Sequence, residues 1–126
     1  MPHLAGSPAE IRARVPAVLS AWEFMHDGVL RGGIVEPELK RLCFGFVAGG
    51  GDTTDLGGFT PREQIALRWA YAIAWDSDRA DDVLWENLHR EFSEPELVEL
   101  GCSIGFALGQ QHFERTLGLG PHAGLA

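Results

Sequence analysis

Apolar positions along the chain recur at helical spacing, and no stretch alternates with the period of two that a strand needs. From Pro8 to about Leu30, Ile11, Val15, Val18, Leu19, Trp22, Met25 and Val29 fall on one broad helical face. Pro16 lies deep enough to bend that helix, or to make Arg14 and Val15 the end of a separate short one. Arg31-Gly32-Gly33 stops it. A second helix opens near Glu36-Pro37-Glu38 and carries Leu39, Leu42, Cys43, Phe46 and Val47 until Gly49-Gly50-Gly51 ends it.

A third helix, Pro61 to about Trp75, is apolar almost all round, with Ile65, Leu67, Trp69, Tyr71, Ile73 and Trp75 separated by alanines. A helix without a polar face is a buried one. Asp76-Ser77-Asp78 terminates it. The fourth runs from near Asp81 to Phe92 through Val83, Leu84 and Leu88. The fifth, about Pro95 to Leu117, carries Leu97, Leu100, Ile104 and Leu108 on one side, and Gly101, Gly105 and Gly109 at spacing four on another. Each glycine costs a helix roughly 1 kcal/mol against alanine, so the stripe is read as a close approach for another helix.

Three helix starts share one chemistry. Ser7-Pro8-Ala9-Glu10, Thr60-Pro61-Arg62-Glu63 and Ser93-Glu94-Pro95-Glu96 each place a hydroxyl at the cap and a glutamate three residues on. Proline in a first turn loses no helical hydrogen bond. The pattern predicts a single all-α domain of five to six helices over residues 1–126, with a tail over 120–126 that frays.

Composition narrows the function classes. Ten basic against eighteen acidic residues give a net charge of −8, and Lys40 is the only lysine. Gripping nucleic acid or an anionic membrane takes clustered Lys and Arg, which are missing, so neither is expected as a partner. No apolar run approaches the ~18–20 residues of a spanning helix. The N-terminal "MPHLAGSPAEIRARV" lacks the basic segment and apolar core of a secretory signal. Cys43 and Cys102 form no C-x-x-C and are expected as reduced thiols in a cytoplasmic protein.

The stretch "FTPREQIALRWAYAIAWDSDRADDVLWENLHREFSEPELVELGCSIGFALGQQHFERTLGL" resembles the carboxymuconolactone decarboxylase family, which includes the alkylhydroperoxidase D-like proteins. Phe59 to Leu67 and Phe92 to Leu100 match two of its helix-opening phrases. "LRGGIVEPELKRLCFGFVAG" (Leu30 to Gly49) is similar to its lead-in helix, so the resemblance covers roughly residues 17–119. It implies an all-helical fold that assembles into trimers, hexamers or other homo-oligomers through helix faces. Peroxidase-type members carry C-x-x-C and a histidine on the helix after the lead-in. This chain passes instead from Val47 through glycines to Thr60, with neither motif, so no redox pair carries over.

Individual residues leave several chemistries open. A peroxidatic Cys43 needs a depressed pKa and a resolving partner, yet it sits mid-helix where a cysteine acts as a small hydrophobe. Cys102, between Gly101 and Ser103 on the long apolar helix, reads the same way. Glu23 and His26, at spacing three and followed by Asp27, are read as sharing a face, as an acid–base pair or as ordinary solvated side chains. No H-x-x-x-H or H-E-x-x-H accompanies them, so no metal is assigned.

Arg68 is the odd residue on the otherwise apolar third helix. It either pairs with an acid such as Glu99 or Asp76, or anchors a carboxylate-bearing ligand. Trp69, Tyr71 and Trp75 line either a ligand cavity or, as aromatics on a buried helix more often do, the core or a subunit interface. Gln110, Gln111 and His112 are the polar candidates near a pocket, with His89 more distant. Asp52-Thr53-Thr54-Asp55 in the glycine tract matches neither a P-loop nor a calcium loop, and reads as a mobile linker or lid.

The sequence therefore supports first a divergent family member without dithiol peroxidase chemistry, with no cofactor, binding a small carboxylated or aromatic ligand between helices. An enzyme is the alternative, either a single-cysteine hydroperoxide reductase using Cys43 or a lyase using Glu23 and His26. A non-catalytic structural or regulatory oligomer subunit is the third reading.

Overall fold

Reciprocal caps set three helix starts. In the computed structural model, which describes residues 3–119, Ser7 Oγ accepts from Glu10 N at 3.1 Å while Glu10 Oε1 accepts from Ser7 N at 3.1 Å. The same exchange joins Thr60 to Glu63 and Ser93 to Glu96. These caps open α1 (Pro8–Ala13), α4 (Pro61–Trp75) and α6 (Glu94–Thr116). Asp81 caps α5 (Asp82–Glu91) by accepting from Leu84 N at 2.9 Å.

Pro16 does split the first predicted helix. Val15 is extended, and α2 (Pro16–Met25) starts afresh with the proline in its first turn, where no N–H is needed. It runs on into a π turn, His26–Leu30. α3 spans Pro37–Ala48, and a 3-10 turn, Ser77–Arg79, links α4 to α5. Among the described residues there are six α-helices and no strand, an all-α compact domain. None of these helices is long and apolar enough to cross a membrane. The fraying expected of 120–126 lies outside the described residues.

The core forms where α3 packs on α4 and α6, and α4 on α5 and α6. Leu39, Cys43 and Val47 meet Leu67, Ala70, Leu88, Leu100 and Ile104 there. The broad face predicted for the first helix is only partly used. Ile11 is buried, but Val15 and Val18 are about half exposed and no residue of α2 is buried, because the break at Pro16 turns α2 toward α1 and the π turn.

Two connections are fastened closely. The segment before α3 is held by Lys40, whose side chain is fully buried; its ammonium donates to Val29 O, to Gly32 O at 2.6 Å and to Glu99 Oε2 at 3.0 Å. Glu99 in turn accepts from Ile34 N and Val35 N. All three ammonium protons are thus met, as burying that charge requires.

The glycine tract after α3 is a packed turn rather than a loose linker. Gly50 and Gly51 take positive φ, Gly51 is buried under the Trp75 ring, and Leu56 plugs into the core. Asp52 Oδ1 accepts from Thr54 N and Oγ1, which tightens the tip. In the stripe on α6, only Gly101 meets a close neighbour, the Trp69 ring. Among the described residues, a β-carbon on Gly105 or Gly109 would meet nothing within 4 Å, so the predicted close approach is made there at Gly101 alone.

Candidate functional site

Spacing three along α4 puts Ile65, Arg68 and Tyr71 on one face, and that face opens on a cavity of about 390 Å³. Arg79 and Asp81 enter from the connection between α4 and α5. Val83, Leu84 and Asn87 come from α5, and Thr53 from the glycine tract. The volume lies within the roughly 300–1,000 Å³ of small-molecule sites. Arg68, Arg79, Asp81 and Val83 are exposed at its rim, while Leu84 is buried at its wall.

Arg68 has no ion pair or hydrogen bond among the described residues. Both acids proposed for it are engaged elsewhere. Asp76 Oδ2 lies 3.4 Å from Arg79 Nε, and Glu99 belongs to Lys40. Arg79 also stacks its guanidinium 4.6 Å from the Tyr71 ring. A free guanidinium beside an aromatic and an aliphatic wall suits a carboxylate carried on an apolar body, since its planar fork matches a carboxylate's two oxygens. The lining contains no cysteine, histidine or lysine.

The three residues considered for catalysis differ in their surroundings. Cys43 is fully buried in the core, and burial pushes its thiol up to about 12, leaving it protonated at neutral pH. His26 is also buried, which removes the solvated-face reading, while Glu23 is exposed. The helix passes into the π turn at His26, and the imidazole is held there. Its carboxylate partner is Asp27, with Nδ1 to Oδ1 at 2.9 Å, and its ring stacks on Trp22 at 4.5 Å. Arg12 approaches the Trp22 ring at 4.8 Å.

The other ligand-binding candidates divide among three places. Trp69 lines a separate apolar groove of about 450 Å³ with Trp85, Leu97, Val98, Gly101 and Cys102, its ring edge-on to Trp85 at 5.6 Å. Gln110 and Gln111 serve internal bonds. Gln110 Oε1 accepts from Arg12 Nη2 at 2.7 Å, in a buried layer that includes the Arg12–Glu114 ion pair at 2.9 Å, and Gln111 Nε2 donates to Phe44 O at 3.1 Å. His112 is exposed on α6. Among the described residues, no group of three or more His, Cys, Asp or Glu is placed to hold a metal.

Sequence reasoning missed Arg79, Asp81 and Asn87. Their signal was available: a helix start at Asp81 just after a helix end at Trp75 returns the chain alongside α4. No family model, curated protein or solved structure matches this chain.

Proposed function

We propose that this chain binds a small carboxylated ligand with an apolar or aromatic body in the cavity at Arg68. On the resemblance of its sequence, we read it as a divergent relative of the carboxymuconolactone decarboxylase family without dithiol peroxidase chemistry. The observation that carries the binding reading is the unpaired Arg68 guanidinium facing a cavity walled by Tyr71, Ile65 and Leu84. Neither enzyme alternative gains support from the geometry, since Glu23 is exposed while His26 is buried and bonded to Asp27, and Cys43 is enclosed. The unbridged cysteines support a cytoplasmic setting as part of the same proposal.

Titration of the intact chain with 3-phenylpropionate, followed by calorimetry, tests this. A hydrogen bond to a charged group contributes about 1.5–3 kcal/mol, so Arg68→Gln is expected to weaken binding roughly 10- to 100-fold. Equal affinity in the variant sinks the assignment of Arg68.

A second reading, a homo-oligomer subunit, draws on the outer face of α6. Val98, Cys102, Gly105, Gly109 and Phe113 are exposed there without an intervening charge. Light scattering on the purified chain reads it: a trimer or hexamer converted to monomer by Gly105→Glu supports it, and a wild-type monomer removes it.

A further inference from the structure

Arg68 and Asp81 carry opposite charges into one cavity and do not neutralise each other. Neither takes part in any ion pair among the described residues. Asp81 Oδ1 is committed to the α5 cap through Leu84 N, and Oδ2 has no donor among the described residues. The remaining charge in the lining, Arg79, is already met by Asp76 and by the face of Tyr71. The cavity therefore offers one free cation, one free carboxylate oxygen and an apolar wall of Ile65, Val83 and Leu84.

A ligand bearing only a carboxylate would satisfy Arg68 and leave Asp81 facing an apolar surface, which costs the complex part of what Arg68 contributes. A ligand carrying both charges satisfies both ends. We propose that the cavity takes a zwitterion with an apolar side chain, an apolar α-amino acid, its carboxylate on Arg68 and its ammonium on Asp81. This rests on the carboxylate-binding reading above and adds the amine to it.

Three probes separate the ideas by calorimetry on the intact chain. L-phenylalanine carries both charges, 3-phenylpropionate lacks the ammonium, and 2-phenylethylamine lacks the carboxylate. L-phenylalanine is expected to bind at least tenfold more tightly than either analogue. Asp81→Asn keeps an oxygen that can cap α5, and Asp81→Ser provides a second cap former should the first fail to fold. Either is expected to lower L-phenylalanine to the level of 3-phenylpropionate without weakening 3-phenylpropionate itself. Arg68→Gln is expected to weaken both carboxylates.

If 3-phenylpropionate binds as tightly as L-phenylalanine and the Asp81 variants change nothing, the amine assignment is overturned and the carboxylate reading stands. If neither carboxylate binds the wild-type chain, both readings are overturned together.

Discussion

The ring of Trp75 occupies the space that a β-carbon on Gly51 would need, and Gly51 sits there at a φ of 70°. Two separate costs therefore meet at this position. Gly51→Ala must strain the backbone and displace the ring, and a destabilisation of about 1–3 kcal/mol is expected. Gly50→Ala provides the control. Its φ is 98° but its β-carbon would meet open space, so it bears only the backbone cost. Urea midpoints for the two variants measure the difference, and equal values would mean the ring moves freely.

Removing Lys40 should be far more damaging than its single charge suggests. Lys40→Met leaves Val29 O, Gly32 O and much of the Glu99 carboxylate without their cation. Breaking a buried pair in this way costs about 3–5 kcal/mol. Arg41→Ala, which breaks only an exposed pair to Glu38 at 3.5 Å, should cost under about 1 kcal/mol. Chemical denaturation of both variants gives the comparison.

Acid should loosen the same strap. Burial pushes the Glu99 carboxyl up, but the N–H groups of Val35 and Ile34 and the Lys40 ammonium outweigh it, and the net shift is downward from 4.5. A carboxyl held lower in the folded chain than in the unfolded one stabilises the fold above the unfolded value. That contribution is lost as pH falls below about 4.5 and through the folded value. Glu36 and Glu96 move in the same direction, Glu36 through its bond from Arg62, and Glu96 first through the Ser93 N–H and then through Arg62. Thermal melts of Glu99→Gln between pH 3 and 7 should therefore show a shallower acid limb than wild type (~pH 3 being below the ordinary carboxylate range).

The two thiols should separate cleanly under a thiol reagent. Cys102 is exposed and Cys43 is enclosed. Ellman's reagent is expected to titrate one thiol in the native chain and both in urea, and Cys102→Ser should abolish the native signal. The Cys43 thiol is held above its ordinary 9.0, at about 12. Keeping it protonated favours the fold below pH 9.0, and that contribution falls as pH rises from there toward 12. Cys43→Ala should accordingly lessen the alkaline loss of stability.

The helix starts were legible because their chemistry is local. Ser7, Thr60 and Ser93 each find a glutamate three residues away, and no tertiary contact is needed to read that. The end of α4 at Trp75 and the break at Pro16 were legible for the same reason. Arg68 was recognisable as out of place on an apolar helix, but the residues that share its cavity were not, because Arg79 and Asp81 line that cavity only once α5 folds back beside α4.

Spacing alone could not tell the surroundings of Glu23 and His26. His26 is buried, stacked on Trp22 and bonded to Asp27, while Glu23 is exposed. Gln110 and Gln111 were singled out as polar residues near a pocket, and both instead make internal bonds. That was hidden because the partners are distant in sequence: Arg12 lies 98 positions from Gln110 and Phe44 lies 67 from Gln111.

The strap at Lys40 has a consequence for labelling the chain. It is the chain's only lysine, and its side chain has no exposed surface. A folded copy therefore offers no lysine side chain to acylating reagents, aldehyde fixatives or enzymes that tag lysines. An amine-reactive probe that does modify Lys40 must have caught the strap open. The rate of that modification is thus a clock for the detachment of residues 29–35 from α6.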